Sequence, residues 1–205
     1  MGNEAACTVR LGKQKSSGKA LLETSELLFR PAAGGARLKI PFSAIKSATA
    51  ADGELRLETA DGVTVLELGA AAEKWCDKIL HPKTRAEKLG VKAGMNISLH
   101  GEFAGEFLRE LRGATKNIQE GRIDASSELI FLSVNTAKEL AAIGKVAKAL
   151  QGATGLWVVY PKGKNEVTEN DVLAAGRKAG LKDVKVVGFS PTHTALKFVV
   201  PLNRR

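Results

Sequence analysis

In the first eighty positions apolar residues alternate with polar ones, a two-residue period that predicts β-strands. Three segments carry the pattern most clearly: "LLETSELLFR", "ARLKIPF" and "GELRLETADGVTVLEL". The first predicts strands at 19–23 and 26–30. In the third, the predicted apolar face comprises Leu55, Leu57, Val63 and Val65. Asp61-Gly62 separates its two halves and predicts a hairpin with a type I′ turn, because glycine tolerates positive φ.

A helix is predicted after these strands, in "AAAEKWCDKIL". Its apolar positions have helical spacing, and they are Ala72, Trp75, Cys76, Ile79 and Leu80. His81-Pro82 ends it, since proline cannot continue a helix. Short strands followed by one tryptophan-bearing helix resemble the pleckstrin-homology-like (PH-like) superfold over roughly residues 5–80. The resemblance implies a bent β-barrel that the helix plugs, with Trp75 supplying much of the buried area.

The PH-like resemblance also implies binding, because some members of this superfold bind phosphoinositides through basic residues in an early loop. In "LGKQKSSGK", Lys13, Lys15 and Lys19 fall in that region. The alternative is that the segment is a flexible basic hairpin loop. Other members are protein-binding modules, so we expect a protein partner for this half of the chain.

In the second half, strand patterns alternate with helix patterns, which predicts βαβ units and a mostly parallel sheet. Strands are predicted in "NISLH", "SELIFLSV" and "GLWVVYP", with one more short strand in "ATKNI". Helices are predicted after Thr84, Thr136 and Thr168, and another in "EFAGEFLRELRG" with an apolar stripe of Ala104, Phe107, Leu108 and Leu111. The helix after Thr136 is predicted to end near Gly152. "DVKVVGFS" and "TALKFVVP" close the chain as an antiparallel pair.

Three segments of this half resemble the class I methyltransferase-like Rossmann fold: "KLGVKAGMNISLHG", "ALQGATGLWVVYPKG" and "AGLKDVKVVGFS". The half also resembles an uncharacterised bacterial family that carries a shortened form of that domain. We therefore expect a two-domain α+β chain. A PH-like β-barrel with a C-terminal capping helix occupies residues 1–82. A Rossmann-like three-layer sandwich, with a mostly parallel sheet and a C-terminal antiparallel hairpin, occupies residues 83–205.

The methyltransferase resemblance implies a cofactor loop after the first strand of that sheet, with the pattern L-x-x-G-x-x-V-L-D-x-G-x-G-x-G. Aligned on Gly101, "HGEFAG" keeps the outer glycines, Gly101 and Gly105. It has Leu99 at the acidic position and Phe103 at the middle glycine, where the sulfonium cofactor needs room. We interpret the segment as a structural turn, the alternative being a working S-adenosylmethionine loop.

The stretch between the first helix of this half and "SELIFLSV" is also short. Residues 113–127 occupy a place where the complete fold needs two strands and two helices, on the order of 50 residues. Those elements carry the acid for the ribose and the walls around adenine. The sequence therefore predicts a degenerate cofactor motif and no bound cofactor.

A ligand is still expected at the carboxyl ends of the strands, where open α/β sheets bind. The candidate contacts for a ligand or anion are Gly101, Gly105, Asn135, Tyr160, Lys162 and Lys164. Lys162 and Lys164 are predicted to meet a phosphate or carboxylate beside the helix that Thr168 caps. The alternative is a solvated lysine loop.

Catalytic and metal-binding constellations have no support in the sequence. The two cysteines form no CxxC motif, and the three histidines are far apart. No apolar run approaches the ~20 residues that cross a bilayer, and the first ten residues lack the features of a secretory signal. We expect a cytoplasmic protein with no transmembrane segment.

Charge is uneven along the chain. Residues 1–80 hold 11 Lys and Arg against 10 Asp and Glu, whereas residues 81–205 hold 20 against 12. The net charges are therefore +1 and +8 of the total +9. A basic half favours phosphates or acidic partners, or is a solvated surface.

Three function classes stay open from the sequence. The leading one is a non-catalytic binding or adaptor protein, so we lean against an enzyme. The others are a divergent enzyme or sensor for S-adenosylmethionine or a nucleotide, and a nucleic-acid-associated protein that uses the basic half.

Overall fold

The computed structural model describes residues 3–34, 37–163 and 166–204. The chain divides into two compact units, one ending at Lys83 and the other beginning at Thr84. Each unit has its own sheet and its own apolar core.

The described part of the first unit folds into one curled antiparallel sheet and a helix. Its strands are β1 (Asn3–Leu11), β2 (Gln14–Leu22), β3 (Glu26–Pro31), β4 (Leu38–Pro41), β5 (Ser47–Ala51), β6 (Glu54–Thr59) and β7 (Gly62–Glu67). The strand order is β4-β3-β2-β1-β7-β6-β5, so the first strand joins the two halves of the sheet. Helix α1 (Ala72–Leu80) contacts β5 and β6. The expected PH-like architecture is confirmed.

The register of the β6–β7 hairpin differs from the sequence prediction. Leu55 and Leu57 are buried as expected, but the residues opposite them are Leu66 and Thr64. Val63 and Val65 therefore lie on the outer face. The prediction was wrong because the two-residue loop is Ala60–Asp61, one position earlier than Asp61–Gly62. A shift of one residue turns every side chain of a strand to the other face.

The type I′ geometry belongs to a different turn. A type I′ turn needs positive φ at both central residues. Between β5 and β6, Asp52 has φ 52° and Gly53 has φ 79°, whereas Gly62 already pairs within β7. Asp52 is the non-glycine residue with positive φ among those described.

Two predicted basic residues of the early loop lie on a strand instead. β1 and β2 form a long hairpin whose turn is only Gly12 and Lys13. Lys15 and Lys19 lie on β2, with the Lys15 ammonium 3.0 Å from a Glu67 carboxylate oxygen. The Lys19 ammonium is 2.7 Å from a Glu4 oxygen. Lys15 and Lys19 therefore each pair with a carboxylate. The prediction of a loop is wrong for this segment beyond Lys13, because the residues that follow belong to β2.

Helix α1 buries the predicted stripe with one exception. Ala72, Trp75, Cys76 and Ile79 are buried against the sheet, whereas Leu80 is 50% exposed. Leu80 stands at the last position of the helix. Trp75 is 3% exposed and is the largest side chain that the helix contributes to the core.

The described part of the second unit is a mixed sheet covered by helices on both faces. Its strands are β8 (Ile97–His100), β9 (Ile118–Glu120), β10 (Leu129–Ser133), β11 (Gly155–Pro161), β12 (Lys182–Gly188) and β13 (His193–Val199). Its helices are α2 (Arg85–Leu89), α3 (Gly105–Ala114), α4 (Ala141–Ala147) and α5 (Glu169–Lys178). The order is β12-β13-β11-β10-β8-β9, and only the pairings of β13 are antiparallel. The Rossmann-like sandwich with its C-terminal antiparallel hairpin is confirmed.

Alternate residues of the central strands lie on opposite faces of the sheet and contribute to two separate cores. Phe131 and Trp157 pack with α2 and α3, and Ile130 and Val158 pack with α4 and α5. The indole Nε1 of Trp157 donates to the Leu89 carbonyl at 2.9 Å, which fixes the end of α2 to the sheet.

The helix starts follow the predicted capping residues, but two helix lengths do not. Capping boxes form at Thr84, Thr136 and Thr168. After Thr136 the chain first makes a 3-10 turn, and α4 ends at Ala147, short of Gly152. Helix α3 begins only at Gly105, so Ala104 is its exposed N-cap and not part of its apolar stripe.

The predicted short strand near "ATKNI" lies further along the chain, at Ile118–Glu120. It is the edge strand of the sheet and pairs only with β8 among the described strands. No helix in the described part of the chain is long and apolar enough to span a membrane.

Candidate functional site

Three sequence-predicted residues gather where parallel strands end. Gly101 follows β8, Lys162 follows β11, and Asn135 lies two residues beyond Ser133, the last residue of β10. These strands are neighbours in the sheet, so their carboxyl ends share one edge. Lys164 lies outside the described residues.

Gly101 and Gly105, the outer glycines of the motif, have different structural demands. Gly101 has φ 91°, and a Cβ there would lie 3.0 Å from Ser133 Cβ and 3.2 Å from the Ser133 carbonyl oxygen. A side chain at Gly101 would therefore clash with the end of β10. Gly105 begins α3, where a Cβ would meet nothing closer than an Arg109 guanidinium nitrogen at 3.8 Å. Only Gly101 is required by packing.

A chain of hydrogen bonds joins the end of β10 to the start of β13. The Asn135 amide nitrogen donates to Ser133 Oγ at 3.1 Å, and Asn135 Oδ1 lies 3.1 Å from His193 Nε2. An amide oxygen only accepts, so Nε2 carries the proton. His193 Nδ1 then accepts from the Thr192 hydroxyl at 2.9 Å. Both imidazole nitrogens are hydrogen-bonded, which holds the ring in one orientation.

Lys162 ties β11 to the turn between β12 and β13. Its ammonium lies 2.5 Å from the Ser190 carbonyl oxygen, and its main-chain N–H donates to the Thr192 carbonyl at 2.8 Å. The Ser190 hydroxyl accepts from the main-chain N–H of His193 at 3.0 Å. Lys162 therefore has a structural contact, and a role in anion binding stays a prediction.

Tyr160 is not part of this group. It is 3% exposed within β11, and its hydroxyl donates to Glu169 Oε2 at 2.9 Å. Burial, together with Glu169, raises the pKa of Tyr160 well above its usual range, so the phenol stays protonated. The first turn of α5 also binds its own carboxylate, because Asp171 accepts from the main-chain N–H of Thr168 at 2.9 Å.

Phe103 occupies the middle of the loop between β8 and α3 and packs into an aromatic cluster. Its ring centroid lies 5.6 Å from that of Phe107 and 6.4 Å from that of Phe189. The Arg85 guanidinium carbon lies 5.0 Å from the Phe107 centroid and 5.1 Å from the Phe189 centroid. Glu110 holds Arg85 in place through an Nε–Oε2 contact of 2.8 Å. Phe103 is thus an edge of the core rather than a wall of an open pocket.

The chemistry available at this edge of the sheet is limited. Leu99, at the acidic position of the motif, is 2% exposed in the core. The two cysteines, Cys7 and Cys76, lie in the core of the first unit, where burial raises the pKa of both thiols, so neither is an activated nucleophile. Among the described residues, no three His, Cys, Asp or Glu side chains assemble as metal ligands. What the described residues form here is a hydrogen-bonded polar surface around Asn135 and His193.

Sequence reasoning did not find four members of this surface: Ser133, Ser190, Thr192 and His193. Ser133 closes an apolar strand, and that break in the pattern was the available signal. His193 lies 58 positions from Asn135, and only the sheet order brings them together.

No family model and no curated protein matches the sequence. Among solved structures, a SAM-dependent methyltransferase from Aquifex aeolicus is 16% identical, with 55% of this chain and 85% of that chain covered and a TM-score of 0.43. A TehB-like SAM-dependent methyltransferase from Corynebacterium glutamicum is 12% identical, covering 63% and 96%, with a TM-score of 0.38. The N-terminal PH domain of human ARAP2 is 12% identical, covering 51% and 93%, with a TM-score of 0.35.

Proposed function

We propose that this chain is a non-catalytic binding protein, in which a methyltransferase-like sheet serves as a scaffold and no longer holds a cofactor. The observation that carries the proposal is the position of Phe103. A cofactor loop of this type needs small residues, so that the ligand approaches the backbone. Here the middle of the loop bears a phenyl ring packed on Phe107 and Phe189.

The stretch of chain between α3 and β10 supports the same proposal. β9 has only three residues and is the edge strand of the sheet. The chain from α3 to β10 contains no described helix, so that stretch supplies no helical wall for an adenine ring. Among the polar groups at the strand ends, Asn135 bonds to both Ser133 and His193.

The PH-like unit offers a surface for a protein partner. A groove of about 840 Å³ lies beside β4 and β7, and its lining includes Leu11, Leu38 and Val65. Arg56 and Lys39 also line it. A surface that mixes apolar and charged side chains is typical of protein interfaces, and this unit is where we expect an adaptor function to reside.

Titration of the full chain with S-adenosylmethionine tests the proposal. At millimolar cofactor we expect no shift in melting temperature and no heat of binding by calorimetry. A ligand present at ~100 times its Kd would add about 2.7 kcal/mol to the free energy of unfolding, which is easily measured. Phe103→Gly should lower that free energy by roughly 1–3 kcal/mol, through lost packing, without creating cofactor binding.

Gly105→Val is the matched control, since a side chain at Gly105 has room. It should leave the fold intact. If S-adenosylmethionine stabilises the chain saturably and Gly105→Val abolishes the effect, the protein is a divergent methyltransferase and the proposal is wrong.

A further inference from the structure

A groove between α4 and α5 has a floor made of small residues. Helix α4 contributes Ala141, Gly144 and Ala147, and α5 with its C-cap contributes Ala175 and Ala179. Leu140, the N-cap of α4, is the large apolar residue in the described lining. The groove has a volume of about 740 Å³ and lies on the outer side of the helices that cover the sheet. With so little side chain between them, the helix backbones lie near the surface.

The rim of this α4–α5 groove is basic. Lys145, Lys148, Lys178 and Arg204 line it, and no acidic residue is among its described lining. Within the described part of the chain, none of the three lysines has a carboxylate oxygen within 4.0 Å of its ammonium. Arg204 donates to the Gly180 carbonyl at 3.2 Å. Four positive charges therefore surround the apolar floor, and none of the three lysines is neutralised by a carboxylate of the described residues.

Gly144 leaves the groove unfilled at its position but lowers the stability of helix α4. It lies inside α4, and a Cβ at this position would meet nothing within 4 Å. Glycine inside a helix is less stable than alanine by roughly 0.5–1 kcal/mol. Packing does not require the glycine here, so its effect is the depth of the groove at that point.

We propose that the α4–α5 groove binds an acidic amphipathic helix of a partner protein. An amphipathic helix lays its apolar face into an apolar groove, and small residues allow the two backbones to approach closely. Carboxylates flanking that face would meet the lysines of the rim.

Nucleic acid fits this groove less well. Single-stranded nucleic acid binds through bases stacked on aromatic side chains, and the described lining of the groove has no aromatic residue. Phosphodiesters would gain from the four cations but not from an alanine and glycine floor. Complementarity in both charge and polarity favours the acidic helix.

A designed peptide provides the probe. A fluorescein-labelled helix of about 18 residues, or five turns, carries leucine on one face and glutamate on the others. Its anisotropy is followed against the full chain. We expect saturable binding that weakens as salt is raised, because salt screens the exposed charges of the rim. The same peptide with lysine in place of glutamate should not bind.

Two pairs of variants make the test specific. Lys145→Glu combined with Lys178→Glu should weaken binding of the acidic peptide about tenfold or more. Lys92→Glu combined with Lys116→Glu is the control, because it changes the net charge equally at positions outside the groove. Gly144→Leu should block the groove. Gly113→Leu is its control, because Gly113 is in α3 and also has nothing within 4 Å of an added Cβ. Circular dichroism checks that each variant is folded.

The proposal is overturned if the wild-type chain does not bind the acidic peptide, or if Gly144→Leu binds it as the wild type does. If a DNA duplex displaces the peptide, and the same lysine variants no longer bind that duplex, the groove is a nucleic-acid surface instead. The outcome of the peptide experiment is independent of whether the chain binds S-adenosylmethionine. The peptide reports on α4 and α5, whereas the S-adenosylmethionine titration reports on the loop after β8.

Discussion

At the scale of single residues, the structure distinguishes glycines and aromatics that look alike in sequence. Gly101 is required where β8 approaches Ser133, whereas Gly105 tolerates a side chain. Phe103 and Phe107 both contribute to the aromatic cluster that Arg85 covers. A motif compared letter by letter gives these residues equal weight, and only their neighbours show which one the packing needs.

Trp75 gives the sharpest residue-level prediction for the first unit. It is 3% exposed in the core of that unit, so Trp75→Ala leaves a large cavity. We expect a loss of roughly 3–5 kcal/mol, enough to unfold a unit of this size. Thermal unfolding followed by circular dichroism should show the first unit's transition lowered or absent and the second unit's transition retained.

Leu80→Ala is the control on the same helix, because Leu80 is half exposed. It should change stability far less than Trp75→Ala. A Trp75→Ala chain that unfolds like the wild type would mean that α1 is not packed on the sheet.

At the scale of elements, the sequence predicts where helices begin but not the register in which two strands pair. Thr84, Thr136 and Thr168 each begin a helix, as their sequences predict, because a capping box is satisfied within four residues. The β6–β7 hairpin was misplaced by one residue, although its alternation was clear. Alternation is equally compatible with both faces of a strand, and the choice depends on which face the rest of the sheet buries.

The capping box of α5 predicts an acid-sensitive contribution to stability. Asp171 accepts hydrogen bonds from the Thr168 hydroxyl and main-chain N–H, which lower the pKa of the Asp171 carboxyl. A lowered pKa means that this contribution is present above the unfolded carboxyl pKa of about 3.9. It is lost as the pH falls through the lower folded value.

Urea unfolding of the second unit between pH about 5 and 2 measures that contribution. Asp171→Asn should make stability fall less steeply with acid than it does in the wild type. Glu102→Gln is the control, since Glu102 is exposed in the loop after β8. If both variants have the wild-type slope, the carboxylate is not linked to the stability of α5.

At the scale of the whole molecule, the fold class followed from the sequence, but the candidate site followed only in part, since Gly101, Asn135 and Lys162 were predicted and His193 was not. The change from a period of two to alternating strands and helices indicated both architectures. The site depends on residues such as Asn135 and His193, which the order β13-β11-β10 brings together from distant parts of the chain. No local pattern encodes a contact of that kind.

The division of the chain into independent domains remains a prediction, expected between residues 82 and 83. Each unit has its own core, so fragments cut after Lys83 should each fold alone. Circular dichroism and amide exchange of the two fragments would measure this. A fragment 1–83 that is unstructured, while the full chain is folded, would show that the units depend on each other.

The positions of the two tryptophans have a spectroscopic consequence. Trp75 lies in the core of the first unit, and Trp157 lies in the second with its Nε1 bonded to the Leu89 carbonyl and the Lys197 ammonium 5.8 Å from its ring. Each unit therefore carries one tryptophan, and the two indoles lie in different environments. Replacing either by phenylalanine leaves tryptophan emission from a single unit, so the unfolding of each can be followed in the intact chain without an added label.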